Sequence, residues 1–186
     1  QKVDFFWGDE RSVAPTHGDS NYRMAHDALL RKLSLRAAQI HRMEAERSDG
    51  DSAAREYERM LADSFATTPN DVPPSLDLIL LGMGPDGHTA SLFPHTTALK
   101  EKNRWVVINY VAKFSSNRMT MTYPAINAAR QVLFLIAGPD KADALHEVLE
   151  GLPNSELYPS QGIKPRADGP LFYVDRAAAA KLAGKE

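Results

Sequence analysis

Four short apolar runs restrict this chain more than any other feature: each is closed by glycine or aspartate, and each is followed within a loop by a stretch able to form a helix. They are Val3-Asp4-Phe5-Phe6-Trp7 before Gly8, Leu76-Asp77-Leu78-Ile79-Leu80-Leu81 before Gly82, Gln131 to Ala137 before Gly138-Pro139, and Leu171 to Val174 before Asp175. Runs this short and this apolar read as strands, and the second has the pattern of a strand buried on both faces of a parallel sheet. A fifth strand is expected at Trp105 to Tyr110, and Met119-Thr120-Met121-Thr122 behind Arg118 is strand-like. The stretches between them supply the helices. Ser20 offers an N-cap to a helix from Asn21 to Leu33, and Tyr57, Leu61 and Phe65 mark the buried face of one from Ala53 to Phe65. Pro124 opens a short helix, Lys141 to Leu149 forms another, and Asp175 caps a closing helix from Arg176 to Leu182, with Gly184 past its end. Gly8 to Arg11 reads as a polar turn, Ala37 to Ser52 as a surface connection, and Pro69 to Pro74 as loop. Strands alternating with helices give an α/β fold, a Rossmann-like sandwich with a mostly parallel sheet flanked by helices.

The chain of 186 residues reads as one domain, with no internal repeat, low-complexity tract or internal boundary. Because its first strand has almost no lead-in, N-terminal sequence is expected to be missing, which would leave an exposed sheet edge and favour association; a monomer or weak homo-oligomer is expected. A net charge of −2, from 22 basic and 24 acidic side chains that are well mixed, carries no footprint of a nucleic-acid binder, so a small molecule is the expected partner. Cysteine is absent, which excludes disulfides and thiolate chemistry. No apolar stretch reaches the roughly 20 residues of a membrane span, no signal peptide opens the chain, and a cytoplasmic protein is expected.

Open parallel sheets bind ligands beyond the carboxyl ends of their strands. Two loops rich in chemistry take that position, Gly8 to Arg11 and Gly82 to His88. If their strands are neighbours, Asp9, Glu10, Arg11, Asp86 and His88 converge on one crevice. The glycines of Gly82-Met83-Gly84-Pro85-Asp86-Gly87 have a plainer reading, since glycine turns a chain tightly without strain, and their spacing is not a dinucleotide fingerprint. Asp86 and His88, however, flank a glycine at a strand end, where an imidazole can act as general base and a carboxylate can orient it. A metal held by Asp86, His88 and His95 fits no standard spacing. Arg11 and Arg118 are either ordinary solvated arginines or the planar cations that suit a phosphate, with Lys164 and Arg166 on the same positive side. Asp140 and Lys141 read as structural, and the methionines as core filler.

Phe6-Trp7-Gly8-Asp9-Glu10-Arg11, Ser20-Asn21-Tyr22 and Gly82-Met83-Gly84-Pro85-Asp86-Gly87-His88-Thr89-Ala90-Ser91-Leu92-Phe93-Pro94 closely resemble the signature blocks of 6-phosphogluconolactonases, within the glucosamine-6-phosphate isomerase/6-phosphogluconolactonase superfamily. Arg118-Met119-Thr120-Met121-Thr122, with Pro124 and Asn127-Ala128-Ala129-Arg130, is similar to a third block. The resemblance covers essentially the whole chain. It implies hydrolysis of 6-phospho-D-glucono-1,5-lactone to 6-phosphogluconate, in the oxidative pentose phosphate pathway, without metal or organic cofactor. His88 would be the base that activates water, Asp86 and Asp9 would orient His88 or the substrate, and Arg11, Glu10, Gly84, Gly87, Arg118 and Lys164 would bind the substrate. Two departures stand out. The Gly-Gly-Ser/Thr-type phosphate loop that precedes these blocks in the family is not found, and Gly162-Ile163-Lys164-Pro165-Arg166 replaces a Val-Arg-Pro-like run. Two other readings remain: a glucosamine-6-phosphate deaminase-like enzyme, which Phe93 opposes because it stands where those enzymes carry a proton-transferring glutamate, and a sugar-phosphate-binding protein without turnover.

Overall fold

The computed structural model describes residues 3–69, 71–166 and 169–184. Its strands are β1 (Phe5–Phe6), β2 (Asp9–Arg11), β3 (Ile40–His41), β4 (Ile79–Leu81), β5 (Val106–Val111), β6 (Ser116–Met121), β7 (Val132–Ile136) and β8 (Leu171–Val174). The α-helices are α1 (Asn21–Ala28), α2 (Gly50–Ser64), α3 (Tyr123–Asn127) and α4 (Ala142–Leu149). Two of three small sheets are parallel, β1 with β3 and β4-β7-β8, whereas β2-β6-β5 is antiparallel. The α/β architecture with a largely parallel arrangement is therefore as read from the strand-and-helix alternation.

Several local expectations are corrected. Asp9 to Arg11 is not a turn but a strand, because the hairpin of β5 and β6 offers it an edge to pair with, from Asp9 opposite Thr120 to Arg11 opposite Arg118. The surface connection from Ala37 to Ser52 holds β3, which aligns with β1, and Met43, buried to 1% exposure. The helix begun at Asn21 ends as α-helix at Ala28, and the one expected from Arg176 is a 3-10 turn over Ala178–Lys181. The run at Leu76 to Leu81 is buried on one face only: Ile79 and Leu81 point into the core, while Leu80, opposite Leu133 of β7, is 58% exposed on the same face as the exposed Leu135 of β7 and Tyr173 of β8. Among the described residues, no element covers that side. On α2 the core takes Tyr57 and Leu61, but Phe65, at the C-cap, stays partly outside. Gln1 and Lys2, which precede the opening run, and Asn70 of the expected loop lie outside the described residues.

Other expected details hold. Ser20 caps α1 by accepting from the Arg23 N–H, and Asp175 accepts from the N–H of Ala178 and of Gly138. The core runs through both larger sheets, with Trp105, Met119, Met121, Phe134 and Leu145 among its fully buried side chains. No helix among the described residues is long and apolar enough to cross a membrane.

Candidate active site

The segment after β4 closes on itself at once. The Gly84 N–H donates to the His88 carbonyl at 2.9 Å, and the Gly87 N–H donates to the Gly84 carbonyl at 3.0 Å, so the turn delivers His88 beside its own start. Two of its glycines are required by geometry. A Cβ on Gly84 would stand 2.0 Å from His88 Nδ1, which means the imidazole rests against bare backbone. Gly87 has φ +74° and lies so close to Tyr158 that a Cβ would meet its ring at 2.9 Å. The turn is also fastened from outside: the backbone N–H and the hydroxyl of Ser160 both donate to the Gly87 carbonyl at 2.9 Å.

His88 has three neighbours that fix its ring. Nδ1 lies 2.5 Å from Asp86 Oδ1, and Phe93, 4% exposed, stacks on the imidazole with centroids 3.9 Å apart and planes 22° from parallel. The third is Gly84 beneath it. Asp86 has its second oxygen engaged as well, by Lys113 Nζ at 3.0 Å. Desolvation pushes the Asp86 carboxyl up, but the bond and charge of His88 and the bond from Lys113 outweigh it and hold the group well below the usual carboxylate range. A carboxylate accepting at Nδ1 places the proton there and leaves the Nε2 lone pair as the basic site.

The polar face of the β2-β6-β5 sheet adjoins this loop. Strand alternation puts Asp9 and Arg11 of β2, Arg118 and Thr120 of β6, and Asn109 of β5 on one side. Ser91, three residues beyond His88, ties the loop down: its hydroxyl donates to Asp9 Oδ2 at 2.6 Å, its N–H to the Thr120 hydroxyl at 3.2 Å, and its carbonyl accepts from Asn109 Nδ2 at 2.9 Å. Asp9 also accepts from Asn21 Nδ2 at 3.1 Å. Burial pushes the Asp9 carboxyl above its ordinary value, against the bond from Ser91 and the charges of Arg11 and Arg118. Asp9 therefore orients the loop that carries His88, and no hydrogen bond joins the two side chains directly.

Arg11 and Arg118 are direct cross-strand partners, a placement that like charges ordinarily oppose. Their Nε–H groups are buried and have no partner, and desolvation together with the Arg11 charge lowers the pKa of Arg118. Arg11 Nη1 donates to the Asp19 carbonyl at 2.5 Å, and the Arg118 guanidinium carbon lies 5.1 Å from the centre of the Phe114 ring. Two guanidinium groups side by side, each with an unspent Nε–H and with the Asp9 and Glu10 charges nearby, have the donor chemistry that suits an anion.

Of the remaining sequence candidates, Glu10 is placed differently from its neighbours. It is 2% exposed, and its two oxygens accept from the N–H groups of Arg11, Asn21 and Tyr22 and from the Ser20 hydroxyl. This carboxylate caps the N-terminus of α1 and so fixes the helix against β2. Lys164 is exposed; its N–H donates to Asn127 Oδ1 at 2.8 Å, and no hydrogen bond or ion pair joins it to His88 or to either arginine. His95 is exposed with its Nδ1 3.7 Å from Glu156, and no cluster of three or more metal-ligating side chains exists among the described residues. Three contributors escaped the sequence reading. Lys113, Phe114 and Ser160 reach the site through loops whose course no periodicity announces; Ser91 lay inside a recognised block without a role.

The family described as "Glucosamine-6-phosphate isomerases/6-phosphogluconolactonase" matches residues 1–172. A 6-phosphogluconolactonase of Nostoc sp. is 42% identical over 181 residues, covering 97% of this chain and 74% of that protein. One of Mycobacterium tuberculosis is 43% identical over 188 residues, again covering 97% and 74%. Among solved structures, 6-phosphogluconolactonase from Trypanosoma cruzi superposes with a TM-score of 0.84 at 29% identity, covering 98% of this chain and 73% of the other. A monomeric glucosamine-6-phosphate deaminase shares the fold, with a TM-score of 0.76 at 22% identity and cover of 98% and 76%.

Proposed function

Because the chain belongs to the glucosamine-6-phosphate isomerase/6-phosphogluconolactonase family, we infer that the site built around His88 performs the lactonase reaction. The activity is hydrolysis of 6-phospho-D-glucono-1,5-lactone to 6-phosphogluconate, a step of the pentose phosphate pathway. The observation that carries our assignment of roles is the His88 ring held by Asp86 at Nδ1, with Nε2 left as the base.

In this reading Nε2 takes a proton from water as its oxygen attacks the lactone carbonyl carbon. The carbonyl π electrons move to oxygen, giving a tetrahedral oxyanion. As that intermediate collapses, the bond from carbon to the ring oxygen breaks, and the Nε2 proton passes to the departing oxygen, which becomes the sugar hydroxyl. The new carboxylic acid then ionises. A general base placed in this way supplies about 10²- to 10⁴-fold. Asp86 holds the tautomer and stabilises the imidazolium, and Arg11 with Arg118 binds the phosphate. Asp9 and Glu10 act by position: Asp9 ties down the loop through Ser91, and Glu10 fixes α1. Gly84 acts on His88 by letting the ring rest against bare backbone, Gly87 supplies the positive φ of the turn beside Tyr158, and Lys164 sits at the exposed margin. Phe93 packs on the imidazole, a place from which a hydrocarbon ring moves no proton, so the isomerising chemistry of a deaminase lacks a group there. We keep a single catalytic domain, a cytoplasmic location and a monomer or weak homo-oligomer as parts of this proposal.

The test is turnover of freshly generated lactone, followed by NMR against spontaneous hydrolysis, for this chain and its His88→Ala variant. Acceleration that disappears with His88 is expected. Equal acceleration by both proteins would overturn the assignment of the base.

A further inference from the structure

Lys113 stands in the short turn between β5 and β6, where Ser115, at φ +47°, reverses the chain. Its side chain is 55% exposed, yet it is held on two sides, by Asp86 Oδ2 at 3.0 Å and by the face of Phe114, whose centre is 5.6 Å from Nζ. Ion pairs at such exposure contribute little to stability. This one is unusual in what lies behind it, since the carboxylate it touches with one oxygen touches the imidazole of His88 with the other.

We propose, on the basis of the lactonase reading above, that Lys113 is a positioning residue that acts through Asp86 to keep the His88 imidazole in its unprotonated, working form. The reason is charge balance. Asp86 and Lys113 together are neutral when the imidazole is neutral, so a proton on His88 adds an uncompensated positive charge. With Lys113 gone, Asp86 alone faces the ring, and the same proton would produce a neutral pair, which is favourable. Proton uptake by the Asp86–His88 pair thus moves to higher pH when Lys113 is removed, and a base is lost where it gains a proton. The other charged groups at this end are Arg118 on β6, which reaches the site across Phe114 and Phe93, and Asp9 and Arg11 on β2. All stay in place in a Lys113 variant. The carboxylate is also steered: with Lys113 on Oδ2, Oδ1 is left to His88, whose backbone N–H lies 3.3 Å and whose Nδ1 lies 2.5 Å from it.

The experiment is the pH profile of kcat/KM, corrected for spontaneous hydrolysis, for the wild type, Lys113→Met and Lys113→Arg. Removing a partly solvated charge at this range is expected to move the acid limb up by about half to one pH unit, a three- to tenfold loss on that limb. At alkaline pH, rates should lie within twofold of the wild type, and Lys113→Arg should restore the limb. A structural role would lower the rate equally at every pH, and a substrate contact would raise KM at every pH. Either result, or an unmoved limb at full activity, overturns the proposal. A wild type without acceleration would count against the lactonase reading instead. As a readout that needs no turnover, the His88 ring signals of the free protein, followed by NMR, should titrate at higher pH in Lys113→Met and unchanged in Lys113→Arg.

Discussion

The loop from Gly82 to Phe93 and the arginine row of β2 and β6 meet at one site, and they are built on opposite terms. In the loop, every group that positions His88 already has its partner: Asp86 on Nδ1, Lys113 on Asp86, Ser160 on the Gly87 carbonyl, Ser91 on Asp9. In the arginine row, two cations oppose each other across the ladder and both keep a buried Nε–H without an acceptor. Groups that do chemistry gain from being arranged before the substrate arrives, because then no reorganisation is needed at the moment of reaction. Groups that bind an anion gain from the reverse, since repulsion and unspent donors in the free protein are relieved by the ligand. On the proposed lactonase reading, the difference matches catalysis to one region and affinity to the other.

Substitutions on either side can break that division. His88→Ala should cost the most, about 10²- to 10⁴-fold in kcat, with the folded state retained in thermal unfolding because the ring is not part of the main core. Gly84→Ala comes next. Its Cβ would overlap the imidazole, so the ring must move, and displacement of a catalytic group by about an ångström costs on the order of 10²-fold in kcat with little change in KM. Arg118→Ala should raise KM by roughly 10- to 100-fold, the worth of one charge-assisted contact to phosphate, with kcat within a few-fold. The same change relieves the repulsion from Arg11, so calorimetry of the ligand-free protein should show a melting temperature no lower than that of the wild type. A large fall in kcat for Arg118→Ala, or a large rise in KM for Gly84→Ala, would remove the distinction.

What the sequence disclosed about these two regions also differs. The loop was legible because its residues are contiguous: glycines that permit a tight turn stand beside an aspartate and a histidine, and the spacing alone brings the last two together. The arginine row was legible only as two separate candidates. Arg11 and Arg118 become neighbours through an antiparallel pairing that no local pattern announces, and Asp9 to Arg11 looked like a turn because three polar residues have no apolar alternation to mark a strand. Adjacency in the sequence sets Glu10 beside Asp9, although alternation along β2 sends the two side chains to opposite faces. Lys113 and Ser160 reach the site from loops distant in sequence, so only the fold could reveal them. Among the strands, apolar runs were found readily. The two-residue β3 was not, because Ile40-His41 carries no run of its own.

The division of labour is tested most directly by calorimetric titration of the reaction product, 6-phosphogluconate, into the wild type, His88→Ala and Arg118→Ala. The account predicts that His88→Ala binds the product within about twofold of the wild type, and that Arg118→Ala binds it at least tenfold more weakly, by one charge-assisted contact. Product affinity that falls with His88 and survives the loss of Arg118 would contradict it.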